Sequence, residues 1–255
     1  MDKTQQGNVN FELDHGIGVL TFFHPAHNAL PSHLLSKMVA FIQDAGAQEA
    51  VKAIIIKSEG DRTFCAGASL DELLQLENET QATQFFMGFA NLINAIRQCP
   101  KLVLGRVQGK AIGGGVGLAA AVDYCFATPY ASVRLSELSI GFGPFVIEPA
   151  VSRKIGVAAT AHLTLNPTAW QTAQWAKERN LFAEVFKDTT QMDDYITHFT
   201  TSLVEYSSEA MQAIKQALWA DTSHWNELLA ERATISGKLA ISDFTKRKLA
   251  QFKEK

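Results

Sequence analysis

Residues 101–127 read KLVLGRVQGKAIGGGVGLAAAVDYCFA, and this stretch decides the fold class. Lys101 to Val107 is a β-rich apolar run, and Asp123 to Ala127 is a second. Between them, Gly109-Lys110-Ala111-Ile112 leads into Gly113-Gly114-Gly115-Val116-Gly117-Leu118 and then a run of alanines. Only a short helix, 116–122, fits before the next strand. A strand, a glycine turn, a short small-residue helix and another strand make an α/β unit.

The same alternation extends upstream. Gly18 to Phe23 is a strand ended by His24-Pro25, and Val51 to Lys57 is another, ended by Ser58-Glu59-Gly60-Asp61. Ser32 to Gln43 places Leu34, Leu35, Met38, Val39 and Ile42 at helical spacing, and Gln84 to Ile96 is a further helix before Pro100. From Trp170 the pattern is helical, around 170–179, 192–205, 208–219, 223–236 and 243–253. The expectation is an α/β core over 1–190 and a C-terminal helical region over 191–255.

Two turns are built to bring backbone close to a ligand. Ala66-Gly67-Ala68-Ser69 follows one strand and opens a helix, and the glycine run at Gly113 does the same. Each offers an unpaired N–H. Two such donors aimed at one point stabilise the charge on a carbonyl oxygen when an enolate forms. A run of three glycines also serves close helix packing equally well. Gly115-x-Gly117-x-x-Ala120, with Glu137 about 20 residues on, fits a relaxed dinucleotide fingerprint, but the helix is too short for that unit.

Composition narrows the function. The 255 residues are 47% hydrophobic and 19% charged, enough for a buried core. A formal charge of −3 lacks the basic excess that nucleic acid requires. Cys65, Cys99 and Cys125 are scattered without C-x-x-C spacing, so neither a disulfide framework nor a metal site is expected. The polar start and the lack of a membrane-length apolar run lead to a cytoplasmic expectation without membrane partners.

Four segments in order resemble the enoyl-CoA hydratase/isomerase (crotonase) superfamily. They are His27-Asn28-Ala29-Leu30, Thr63-Phe64-Cys65-Ala66-Gly67-Ala68-Ser69-Leu70, Gly109-x-x-x-Gly113-Gly114-Gly115-Val116-Gly117-Leu118 with Asp123, and Leu135-Ser136-Glu137-Leu138-Ser139-Ile140-Gly141. The resemblance implies a spiral core of ββα turns with a C-terminal helical layer, assembled as a homotrimer or a dimer of trimers. It implies an oxyanion hole from the amides of Ala68 and Gly114 and Glu137 as catalytic acid/base. Ala26, Ala66, Ser69 and Leu70 would line the CoA path. Phe244 and Lys248, in the cluster Lys246-Arg247-Lys248, resemble a terminal CoA contact, although a solvated helix end is the plainer reading. The CoA thioester is substrate, and no cofactor or metal is implied.

The chain also departs from the family. Two-glutamate hydratases carry Glu where Gly117 stands, so one carboxylate is missing. Gly at this position resembles methylglutaconyl-CoA-hydratase-like members, and Pro144-Phe145 resembles single-glutamate 3,2-enoyl-CoA isomerases. A single carboxylate can remove and return one proton, or activate water for addition. Ser69 replaces a common Asp, a change expected to affect a turn hydrogen bond more than the chemistry. Glu148 is either a replacement carboxylate facing the pocket or a cap on the helix starting near Pro149. The first reading is a hydratase acting on an enoyl-CoA, favoured over an isomerase. The rivals are a decarboxylase-type or dehalogenase-like member, a catalytically silent acyl-CoA binder and, last, a dinucleotide-dependent oxidoreductase.

Overall fold

A computed structural model describes residues 6–253. Asn8–Asp14 (β1) and Ile17–Phe23 (β2) form an antiparallel hairpin, paired from Asn8 with Phe23 to Asp14 with Ile17. The connection from β2 runs through helix Ser32–Ala47 (α1) to Ala53–Ser58 (β3), which lies parallel to β2.

From β3 onward the chain winds as a spiral. After β3 comes the short strand Thr63–Cys65 (β4), then helices Leu70–Leu73 (α2) and Glu79–Gln98 (α3). Leu102–Val107 (β5) is followed by the short Lys110–Ile112 (β6) and helix Gly114–Ala121 (α4). Tyr124–Ala127 (β7) is followed by Val133–Arg134 (β8), a 3₁₀ turn at Glu137–Ile140 and helix Glu148–Leu165 (α5). Helix Ala173–Glu178 (α6) then precedes strand Glu184–Val185 (β9). The long strands build a six-stranded sheet ordered β1-β2-β3-β5-β7-β9, and the short ones a second parallel sheet, β4-β6-β8. Each turn thus contributes one strand to each sheet, which is the ββα spiral with a helical layer that the resemblance implied.

Both faces of the large sheet are buried, as expected for parallel strands. Ile54 and Ile56 face the main core with Phe22 and Val103, whereas Ala53 and Ile55 face the opposite side with Leu104 and Phe126. That second face is covered by helix Thr189–Val204 (α7), through Met192, Ile196 and Leu203. Three more helices follow: Ser208–Leu218 (α8), Trp225–Ala240 (α9) and Asp243–Lys253 (α10). Trp225, Leu229 and Ala233 of α9 belong to the same apolar cluster as the central strands, and α9 packs along α3. The boundary expected near residue 190 therefore does not coincide with a break in the core.

A buried ion pair fastens α8 to the sheet. The Lys215 ammonium lies 2.9 Å from Asp123 Oδ2, with side chains 2% and 6% exposed, and also donates to the carbonyls of Ile96 and Lys101. Asp123 accepts in addition from Trp219 Nε1 and from the Val103 amide. The helix expected from Gln84 begins earlier, because Asn78 caps it by accepting from the Gln81 amide. Among the described residues, no helix is long and apolar enough to cross a membrane.

Candidate active site

The three short strands end at one cavity of about 420 Å³, and each delivers one polar element to its wall. After β4 the chain turns through Gly67, whose φ of +89° is open to glycine at no steric cost. The Leu30 amide donates to the Gly67 carbonyl at 2.8 Å, pairing Leu30 with Ala68. In that parallel bridge the amide of Ala68 itself points away from Leu30. After β6, Gly113 takes φ of +51° and Gly114 opens α4. A first helical residue has no intrahelical acceptor for its N–H, which carries the partial positive charge of the helix start. The two turns touch: a Cβ on Gly67 would lie 3.2 Å from Gly114 N.

After β8 comes Glu137, on the same wall. A Cβ added to Gly113 would meet Glu137 Oε1 at 2.7 Å, so the carboxylate lies directly against the second turn. The residue is half-buried overall, yet its Oε2 is closed to solvent and has no hydrogen-bond partner. Burial raises its pKa to about 7, although the amides of Glu137 and Ser136 and the charge of Arg134 pull the other way. Such a group is both a competent base and a competent acid near neutrality. The wall thus brings the turn at Ala68, the helix start at Gly114 and one titratable group, Glu137, around one cavity.

Ile147 fills the space beside Gly117. A Cβ on Gly117 would lie 2.4 Å from Ile147 Cγ2, so no carboxylate can project from position 117 with Ile147 in place. We expect Gly117→Ala to lower stability by about 1–3 kcal/mol in thermal unfolding, as overpacking in a core does. Gly115 is pressed against Cys65 in the same way, so both glycines permit close helix packing.

Of the other residues singled out by sequence, Ala66 and Leu70 line the cavity with Ala68, Gly114 and Glu137. Ser69 does not. Its hydroxyl accepts from the Glu72 amide at 3.2 Å and caps α2, the turn bond that an Asp there would also make. Ala26 sits exposed in the turn after β2, off the cavity wall. Glu148 is the first residue of α5, and its carboxylate accepts from Ser152 Oγ at 2.6 Å, again off the wall. Of the two readings left open for it, Glu148 takes the place at the helix start but makes no side-chain capping bond, and Pro144, Val146 and Ile147 line the cavity where it does not. Phe244 is 52% exposed with the Lys248 ammonium 5.9 Å from its ring, and neither lines the cavity.

Several contributors carry no local mark in the sequence. Leu249 of α10 reaches the cavity, and Thr245 packs on Gly141 at the end of the Glu137 turn, so the chain's own last helix covers this wall. Asn28, read only as part of a motif, staples two turns: Nδ2 donates to the carbonyls of Glu59 and Thr63 and Oδ1 accepts from the His24 amide. Phe85, Phe86 and Phe89 of α3 line the apolar end; their helical spacing is indistinguishable from an ordinary core face.

Residues 12–255 match the family model described as enoyl-CoA hydratase/isomerase, and the chain belongs to that family. A Bacillus subtilis (strain 168) protein described as "Probable enoyl-CoA hydratase" is 25% identical over 249 residues, covering 97% of this chain and 96% of that one. The ethylmalonyl-CoA decarboxylase of Gallus gallus is 28% identical over 147 residues, 56% of this chain and 49% of that protein. The crystal structure of an enoyl-CoA hydratase from Bacillus halodurans superposes with a TM-score of 0.86 at 20% identity, covering 95% and 99% of the two chains, and establishes likeness of fold.

Proposed function

We propose that the protein binds an enoyl-CoA thioester, stabilises its enolate with the Ala68 and Gly114 amides, and moves the double bond with Glu137 as the one acid/base. Ionised Glu137 removes a proton from C2 of a 3-enoyl thioester. The electron pair passes onto the thioester oxygen, and the protonated carboxyl then delivers a proton to C4. The observation that carries this reading is the sealed, hydrogen-bond-free Oε2 of Glu137 beside the Gly113–Gly114 turn. Its pKa of about 7 lets one group perform both transfers.

The sequence favoured hydration, which needs the same amides and base together with a held water. Ile147 puts an apolar side chain where a second carboxylate would hold that water, and this supports isomerisation instead. Hydration stays the second reading, supported by the relative from Bacillus subtilis.

The two are separated by supplying 3-enoyl-CoA deuterated at C2 and, separately, 2-enoyl-CoA in ¹⁸O-water. We expect 2-enoyl-CoA carrying part of the label at C4, and formation of little ¹⁸O-labelled 3-hydroxyacyl product. Dominant ¹⁸O incorporation would return the assignment to hydration. Absence of both reactions, with acyl-CoA still bound, would point to a silent binder.

A further inference from the structure

Arg134 is the other charged side chain on the cavity wall besides Glu137 among the described residues. Its guanidinium lies 4.5 Å from the Trp170 ring centroid, and its Nε is closed to solvent without an acceptor. No ion pair or side-chain hydrogen bond engages it among the described residues, Glu137 included. The pairing of Ile112 with Arg134 puts both, and Lys110, on one face of the short sheet. Trp170 covers that face, with the Lys110 ammonium 5.1 Å from its ring centroid. Pro167 and Thr168, just before Trp170, also line the cavity.

A stack on Trp170 occupies the flat face of a guanidinium and leaves its in-plane N–H donors free. Arg134 is half-buried, and its closed Nε–H, left unbonded beside a largely apolar cavity, carries a desolvation cost unless a ligand supplies the acceptor. The ligand group that fits two parallel N–H donors is a carboxylate. Building on the acyl-CoA reading above, we infer that Arg134 is a specificity-determining residue that selects acyl chains ending in a second carboxylate. A carboxylate on C2 fits less well. Pairing with Arg134 stabilises the very charge that loss of CO₂ must discharge, so the arrangement suits a carboxylate that survives the reaction.

The test uses saturated, non-reacting thioesters and calorimetry. Glutaryl-CoA is compared with its terminal methyl ester, and with a malonyl-type 2-carboxyacyl-CoA, on the wild type, Arg134→Gln and Arg134→Lys. The wild type should bind the terminal acid about 30-fold or more tighter than its ester, the value of charge-assisted bonds inside a cavity. The preference should vanish in Arg134→Gln and return in part in Arg134→Lys. This preference is a ratio taken on each protein separately, so an overall loss of affinity or stability does not imitate it. Equal binding of acid and ester by the wild type, or a preference unchanged in Arg134→Gln, overturns the inference. Tighter binding of the 2-carboxy thioester overturns the terminal position. Failure of the wild type to bind any of the three overturns the acyl-CoA reading itself.

Discussion

Glu137→Gln lowers kcat by about 10²–10⁴-fold, the range for loss of a positioned acid/base. Acyl-CoA affinity, carried by the apolar wall and the backbone amides, changes far less. Wild-type kcat/KM for isomerisation rises with pH to a plateau, with an inflection near the carboxyl pKa of about 7, and the residual activity of the variant lacks that inflection. Stability moves the opposite way. The folded protein holds a proton on Glu137 that the unfolded chain releases above its ordinary value of 4.5, so stability drains away between about 4.5 and 7 as pH rises. Above that window the cost is on the order of 3 kcal/mol. The glutamine variant escapes it, melting higher than the wild type well above pH 7 and about equally below pH 4.5. A turnover loss with lower stability at every pH would instead mean that Glu137 is a packing residue.

The second large effect is structural. Lys215→Met leaves Asp123 charged and buried without its counter-ion and strips the Ile96 and Lys101 carbonyls of a donor. Breaking one side of such a pair costs about 3–5 kcal/mol, read as a lower urea midpoint with an unchanged slope. Adding Asp123→Asn to Lys215→Met removes the stranded charge and recovers part of the loss. Independent additivity of the two substitutions would show that the pair is not coupled in solution.

Much of this molecule was legible in its sequence because some physical demands leave local marks. A backbone amide that must approach a ligand needs small neighbours, and Ala66-Gly67-Ala68 and Gly113-Gly114 display that need openly. Strands such as 101–107 and helices such as Ser32–Ala47 announce themselves by period. Ala66, Ala68, Leu70, Gly114 and Glu137 were all singled out from sequence, and all five border one cavity. What stayed hidden depends on contacts between distant segments. Nothing near Gly117 says that Ile147 will occupy its side, and nothing near Lys215 names Asp123 as its partner. Strands of two or three residues, such as β8, are too short to show alternation, yet β8 positions both Arg134 and Glu137. The expected boundary near 190 followed a change of pattern from strands to helices, which marks a change of layer and not an end of the core.

The winding of the chain has an evolutionary corollary. On the proposed mechanism, successive coils donate the first amide, the second amide and the carboxylate from separate loops, so the equipment is modular. Rewriting 136–147 alone would exchange the proton-handling parts and leave both anion-stabilising hydrogens untouched. One scaffold can in this way send a shared enolate to different products.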